Sequence, residues 1–332
     1  MTNKNHSSVS VIIPCLNEFH FIGRCVQSLI DQDYPTDLIE IIISDGLSDD
    51  GSRDIISTLS NINKNHKIIL LDNFSRRTPN AMNLGINKAK GDIIIFLCAH
   101  SHVDKNYIRL NVEYLENRNL DCVGGRQINI GESYIQSAIG AAMSSMFGIA
   151  SAPHRFESQE CYLDSANFPS YRREVIKAVG YFDEDRYIAE DAEYDFRVKK
   201  AGYRMYYAPE IVIYFYPRST LTLNFRKFYR DGAYRVNLLK KHIDAFNILH
   251  WIPMAFISSL IITLIAGISV DKHMLYAHIL IWSAYLAFAL TGAVYISINE
   301  KKNYVLIIPP VLFTMHAGFG AGWLRGIFKT KR

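Results

Sequence analysis

Leu38 to Ser52 reads LIEIIISDGLSDDGS. The isoleucine-rich run favours extended backbone and stops at Ser44. Asp45-Gly46 follows, a pair that turns the chain where a strand ends. Ser48 to Ser52 is then a turn ahead of a helix beginning near Arg53. The stretch is therefore a strand that delivers polar residues at its C-terminal end and hands over to a helix.

The same unit recurs on both sides. Val9 to Pro14 reads as a first strand, and Glu18 to Ile30 as a helix with Phe21, Ile22, Cys25 and Leu29 on one face. Lys67 to Leu71 is a third strand. Thr78 to Lys88 is a helix with Pro79 in its first turn, where its missing N–H costs nothing. Gly91 to Leu97 contains IIIFL, the continuous apolar character of a strand covered on both faces. This alternation predicts an α/β fold, a doubly wound parallel sheet with helices on both faces. Such sheets bind ligands beyond the C-terminal ends of their strands. Those ends are Asn17-Glu18, Asp45-Gly46, Asn73 and Cys98 to His100.

Further along, Asp104 to Leu115 reads as a helix and Cys122 to Gly125 as a strand. Tyr134 to Ile149, rich in Ala, Ser, Gly and Met, is a helix or a mobile loop, and Ser151 to Asp164 an acceptor-side loop. Arg173 to Val179 and Asp191 to Ala201 read as helices, the second capped by Gly202. Arg204 to Pro209 and Ile211 to Phe215 are two extended stretches.

The 332 residues are 49% hydrophobic, but unevenly so. After about residue 245, Leu249 to Val270, Met274 to Ser297 and Tyr304 to Leu324 contain no Asp, Glu, Lys or Arg. Each has the ~20 residues needed to cross a hydrocarbon core of ~30 Å. Pro309-Pro310 and the glycines at 318, 320 and 322 leave the third as a full span, a tilted span or a re-entrant segment. Ahead of the first lie Arg218, Arg226, Lys227, Arg230, Arg235, Lys240 and Lys241, against Asp231 alone. Such a run suits an anionic cytoplasmic membrane face or a solvated helix face. The link at Asn299 to Asn303, with Lys301 and Lys302, then falls on the same side, and Lys329, Lys331 and Arg332 would fall outside if all three segments crossed. A net charge of +4 does not suggest nucleic-acid binding. The five cysteines show no paired metal-ligand spacing and fit a reduced cytoplasmic domain. The opening MTNKNHSSVSVIIPC lacks the long apolar segment of a signal peptide.

Val11-Ile12-Ile13-Pro14-Cys15-Leu16-Asn17-Glu18 and Ser44 to Ser52, then Asn80 to Gly91 (NAMNLGINKAKG), Phe182-Asp183-Glu184, Ala189-Glu190-Asp191-Ala192-Glu193, Pro217-Arg218 and Tyr229-Arg230-Asp231-Gly232 occur in that order. Together they resemble the inverting family 2 glycosyltransferases of GT-A fold. Within that family the chain is similar to the bacterial membrane-attached enzymes of succinoglycan-type exopolysaccharide synthesis. The resemblance implies a GT-A catalytic domain over residues 1–240 and a transmembrane region of two to three segments over 241–332. It implies Asp191 as catalytic base and donor binding at Asp45 and Ala99; Glu18, just past the first strand, is either a further donor-binding residue for the base region or a first-turn carboxylate favoured by the helix dipole. A divalent metal, Mn²⁺ or Mg²⁺, is implied, with His100 as its ligand or in a non-ligand polar role, and Cys98 as a substitute ligand or as strand-end packing. Glu190, Arg173 and Arg230 are the candidates for the acceptor or diphosphate side, with Arg172 and Arg235 beside them.

The chain departs from the family at the metal motif. An aspartate, any residue, aspartate pattern is usual there, and this sequence has Cys98-Ala99-His100. Thiol and imidazole are softer than the carboxylates that suit Mg²⁺. The function implied is transfer of a hexose from a nucleotide-diphosphate sugar to a membrane-held, polyprenyl-diphosphate-linked glycan in exopolysaccharide or surface-glycan assembly. The alternatives are a polyprenyl-phosphate or lipid glycosyltransferase, and a non-catalytic nucleotide-sugar-binding membrane protein. The expected setting is the inner membrane, multi-pass, with a cytoplasmic catalytic domain and other glycan-assembly enzymes as partners.

Overall fold

A computed structural model describes residues 6–185, 190–245 and 247–328. Ala189 of the acidic motif and the basic residues 329–332 lie outside the described residues.

The first half alternates as the hydrophobic pattern predicts: β1 (Val9–Cys15), α1 (Phe19–Ile30), β2 (Ile39–Asp45), α2 (Ser52–Ile62), β3 (Lys67–Asp72), α3 (Thr78–Lys88) and β4 (Ile93–Phe96). Then come β5 (Ser101–Val103), α4 (Tyr107–Asn117), β6 (Cys122–Asn129), α5 (Tyr134–Met143), α6 (Met146–Ile149), β7 (Cys161–Leu163), β8 (Asn167–Arg172), α7 (Arg173–Val179), α8 (Glu190–Lys200) and β9 (Met205–Phe215). The chain ends with α9 (Leu221–Lys241), α10 (Ile252–Ser269), α11 (Met274–Glu300) and α12 (Ile308–Phe328).

Among the described residues the strands form one sheet in the order β3-β2-β1-β4-β8-β6-β9-β5, with β7 on β9. The strands from β3 to β4 are parallel. Alternate residues of β1 serve opposite faces: Val9, Val11 and Ile13 pack with α1, α2 and α4, and Ile12 packs with α3, α7 and α8. Beyond β4 the sheet is not the parallel one expected, because β8 runs antiparallel to both β4 and β6. Strand β8 (NFPSYR) carries Pro169 and no apolar alternation, so its sequence hides it. Its register on β6 shifts between Val123 and Gly125, and Pro169 falls within that irregularity, where no ladder N–H is required. Strand β9 is continuous across Pro209, which lies between the part paired with β7 and the part paired with β5.

The chain divides into two compact units. One holds the residues up to Ile128 together with Glu157–Phe215, and the other Asn129–Phe156 with Tyr216–Arg332. The segment expected as helix or mobile loop is thus α5 and α6, and it packs with the C-terminal helices.

Within that second unit the three apolar stretches differ. Ile248–Ser269 and Met274–Glu300 are long and apolar enough to cross a membrane, with only 11% and 22% of their most apolar windows buried. At ~1.5 Å per residue they reach roughly 33 and 40 Å. Helix α12 instead packs along α9. A Cβ at Gly318, Gly322 or Gly326 would strike the α9 backbone at Phe225, Tyr229 or Ala233, and one at Gly232 of α9 would strike Phe319. This four-residue glycine spacing lets two backbones approach closely. Pro309 and Pro310 do not break α12. They sit in its first turn, where proline is tolerated.

Candidate active site

The C-terminal ends of β1, β2 and β3 are laced together by the two opening motifs. Asn17 N–H donates to the Ser48 hydroxyl, Glu18 N–H to the Ser52 hydroxyl, and Phe19 N–H to Asp50. Asp49 N–H returns a bond to the Asn17 side chain. Gly46 lies where a Cβ would meet the Leu16 side chain at 3.0 Å and the Arg76 backbone at 3.4 Å, so the three loops converge closely there. Each loop contains a non-glycine residue in the left-handed region, namely Asn17, Leu47 and Arg76. Residues held there cluster at functional sites when their surroundings over-determine them.

Asp45 ends β2 and is fully buried. Its Oδ2 accepts from Ser48 N–H at 2.9 Å and from Arg53 Nη1 at 2.7 Å, and its Oδ1 from the Ser48 hydroxyl at 2.5 Å. Burial alone would raise its pKa, but the Ser48 bonds and the Arg53 charge hold it below the ordinary value. Arg53 also bridges to Asp72 at the end of β3 at 2.7 Å. Both Asp45 oxygens are thus engaged by the protein, and the residue fixes the β2 loop. Asp50 holds the N-terminal turns of α1 and α2 in the same way.

Glu18, Cys98 and His100 come together at the ends of β1 and β4. His100 Nδ1 lies 2.9 Å from Glu18 Oε1 and 3.2 Å from the Cys98 sulfur. Burial would lower the pKa of His100, yet Cys98 and Glu18 outweigh it and push it up to about 10. Ala99 between them is buried, so it offers backbone rather than side chain. Among the described residues no group of three or more His, Cys, Asp and Glu side chains is arranged to hold a metal ion. These three are closed on one another instead. Metal ligation at His100 would require loss of its ring proton and release of Glu18. The donor set fits a divalent ion in part. Imidazole and carboxylate suit Mn²⁺ better than Mg²⁺, and the thiol suits neither well.

Asp191 and Glu190 open α8, where Asp191 is exposed and accepts from Ala192 N–H at 2.7 Å. One turn later the helix is anchored. Tyr194 stacks on Phe182 at 4.2 Å and meets Tyr171 and Phe96 edge-on. Phe96 ends β4, two residues before Cys98, so this aromatic cluster ties the helix of the base candidate to the strand that leads into Cys98 and His100. Glu193, buried, pairs with Arg197, which also donates to the carbonyls of Val179 and Tyr181. Phe182-Asp183-Glu184 docks on α3: Asn83 bonds the Phe182 backbone, and both Asn80 and Asn83 donate to Glu184. Two motifs about a hundred residues apart are therefore one contact.

Asp195 lies one turn after Asp191, on the same face of α8. It is buried, accepts from the Tyr171 hydroxyl at 2.9 Å, and is pushed up to about 7 by burial, with Asp191 adding to the effect. A carboxylate one turn into an apolar helix face was the available signal. Arg173 stands apart from these residues. It bonds Gly91 O at 2.6 Å, at the start of β4, the opposite rim of the sheet from His100. Arg172 likewise caps the Leu115 and Leu120 carbonyls. Arg230 is exposed on α9, in the other unit.

The chain is similar to known proteins in sequence and in fold. Over 327 residues, 97% of each chain, the protein is 26% identical to a dolichyl N-acetyl-alpha-D-glucosaminyl phosphate 3-beta-D-2,3-diacetamido-2,3-dideoxy-beta-D-glucuronosyltransferase of Methanococcus voltae. It is 27% identical to the succinoglycan biosynthesis protein ExoA of Rhizobium meliloti, over 98% of this chain and 97% of that one. In structure it is similar to the mannosyltransferase PcManGT of Pyrobaculum calidifontis, solved with GDP-Man and Mn²⁺. The TM-score is 0.62 at 17% identity, covering 98% of this chain and 88% of that one. GalNAc-T7, solved with UDP, GalNAc and Mn²⁺, aligns at a TM-score of 0.51 and 18% identity over 65% of this chain and 45% of its own. These likenesses show the GT-A fold. The glycosyl transferase family 2 model matches residues 10–180, over half of the chain, and the protein belongs to that family and is a glycosyltransferase acting on nucleotide-sugar donors.

Proposed function

We propose that the protein transfers a hexose, with inversion, from a nucleotide-diphosphate sugar to a lipid-linked glycan held at the membrane. The carrying observation is Asp191. It is an exposed carboxylate at the start of a helix whose next turn is locked, through Tyr194 and Phe96, to the end of β4, two residues before Cys98. Asp191 takes the proton of the acceptor hydroxyl as that oxygen bonds to the anomeric carbon. The bond to the diphosphate breaks on the opposite face, and the nucleoside diphosphate leaves with the electron pair. The β1–β3 loops, fixed by Asp45, Arg53 and Asp50, form the wall for the nucleotide. Relatives named for a dolichyl-phosphate-linked sugar and for succinoglycan support a lipid-linked acceptor in surface-glycan assembly.

The test is Asp191→Asn. Turnover on a lipid-linked acceptor should fall while donor affinity is kept. Glu190→Gln is the control in the same turn and should stay within a few-fold of the parent. Glu193→Gln is a control for folding only, since Glu193 is buried against Arg197. If Asp191→Asn remains as active as the parent, the base is elsewhere.

A divalent ion, Mn²⁺ ahead of Mg²⁺, would sit at His100 with Glu18 beside it and offset the charge of the departing diphosphate. We expect chelator to abolish transfer and Mn²⁺ to restore it best. Full activity in excess chelator removes the ion from the reaction.

For orientation, the bases of α9 and Lys301-Lys302 argue for a cytoplasmic catalytic unit and 299–303 link. Thiol labelling of a cysteine at position 301 should fail from outside intact cells. Ready labelling there reverses the topology.

A further inference from the structure

Residues 133–153 contain no Asp, Glu, Lys or Arg, although they lie within the sequence of the catalytic half. The structure assigns α5 and α6, in this stretch, to the unit of the C-terminal helices. Their position along those helices can be measured at three levels. At the top, the Tyr134 hydroxyl donates to the Asn303 carbonyl, and its ring lies 5.3 Å from that of Tyr304. This is the level of the polar link that carries Glu300, Lys301 and Lys302. Tyrosines at that height are characteristic of a membrane interface. Below it, Gln136 donates to the Pro217 carbonyl and Asn129 to the Ser144 hydroxyl.

At the bottom, Phe147 lies against Gly292 of α11, where a Cβ would come within 2.9 Å of its ring, and between Phe288 and Tyr295 at 5.3 and 5.6 Å. Gly292 is eight residues before Glu300, so at ~1.5 Å per residue Phe147 is roughly 12 Å below the polar end of α11. Helix α12 holds the same turn: Gly148 meets Met315, and the ring of His316 bonds the backbone at Phe147 and Gly148.

We propose that residues 134–149 form a re-entrant hairpin that dips into the membrane leaflet beside α11 and α12 and meets lipid hydrocarbon through Met146. The depth along α11 is about two-fifths of a ~30 Å hydrocarbon core. Backbone survives at such depth only where its polar groups find partners, and a one-turn helix such as α6 leaves most of its own unpaired. His316 supplies one for the turn at Phe147 and Gly148. Its own Nδ1 is 3.0 Å from the Tyr285 hydroxyl. Met146, 58% exposed at the tip, would leave a bare apolar side chain in water but a satisfied one in lipid. The proposal rests on α10 and α11 crossing the membrane, and it brings an uncharged segment of the catalytic half into contact with the chains of a lipid-borne acceptor.

The experiment uses the full chain in phosphatidylethanolamine–phosphatidylglycerol vesicles with photoreactive benzoylphenylalanine placed singly at Met146, Ile268 or Ile62. Ile268 on α10 and Ile62 on α2 are 76% and 70% exposed and serve as membrane and aqueous references. After irradiation, intact mass should show lipid adducts from position 146 at a yield comparable with 268 and several-fold above 62. Adducts at 268 but none at 146 overturn the hairpin and leave the membrane spans standing. A cross-link from 146 to a second copy of the chain also overturns it, in favour of a protein interface. No adduct at either 146 or 268 removes the spans and the hairpin together. None of these readings depends on transfer activity, so failure here is separate from failure of the proposed function.

Discussion

The end of β2 and the start of α8 each present an aspartate that the sequence motifs single out, and the two are built in opposite ways. Asp45 is fully buried, with both oxygens bonded to Ser48 and Arg53. Asp191 is exposed and is engaged by the N–H of its neighbour Ala192. A carboxylate closed on its own loop organises a surface. One left open at the end of an anchored helix can exchange a proton. The same difference separates Asp191 from Asp195, a single turn apart on one helix.

Substitution at the three positions should separate these roles. The largest effect is expected at Asp191. Replacing it by Asn should lower turnover by ~10²- to 10⁴-fold, the usual cost of a lost base, with stability and donor affinity close to the parent. If thermal stability falls while turnover holds, Asp191 belongs with Asp45 and the contrast collapses. Asp45→Asn should do the reverse. Losing the charge opposite Arg53 should cost about 1–3 kcal/mol of stability, less than for a fully buried pair because Arg53 is half-exposed. Donor affinity should weaken by roughly tenfold, equivalent to ~1.4 kcal/mol, as the loops loosen. Calorimetry with a nucleotide-sugar and a thermal melt read both quantities. Unchanged values for each would deny Asp45 any organising role.

The smallest effect, and the one with a distinctive pH signature, is at Asp195. Its carboxyl sits at about 7 in the folded protein, against about 3.9 when unfolded. The folded state therefore binds more protons between those values. Stability from this group is full below about pH 4, declines as pH rises toward 7, and is lost above it. Asp195→Asn should flatten that slope and raise stability at pH 8 by about 1–3 kcal/mol, with little change at pH 4. Melting curves across that range that run parallel for parent and variant would place Asp195 outside the titration.

Much of the sheet was legible because its strands are continuous apolar runs bounded by Asp-Gly or Pro. The segments β1 to β4 and the helices between them fall where hydrophobic spacing puts them, and α3 and α7 match residue for residue. Strand β8 was not legible, since pairing on both sides imposes its structure on a segment holding Pro169 and no alternation. The site was legible as a set of strand ends but not as a network. Nothing in the spacing of NAMN and FDE says that Asn83 and Glu184 touch, and Arg173, adjacent to Arg172 in sequence, gives no sign that it holds the opposite rim. The three apolar stretches looked alike because hydropathy counts side chains and not partners. Only the glycine spacing of α12 marked it as a helix that packs against another.

That pairing sets an order of assembly. Helices α9 and α12 bracket the α10–α11 hairpin, and roughly 65 residues separate Lys241 from Ile308. At a synthesis rate of ~5–20 residues per second, the face of α9 that receives the glycines waits on the order of 3–13 s for its partner to be made. During that interval every strand of the sheet has already been made, while the α9 seam of the second unit is open. Helix α12 is therefore the element that closes the second unit, and a chain arrested before Ile308 would carry the complete sheet but a second unit whose α9 seam is unfilled.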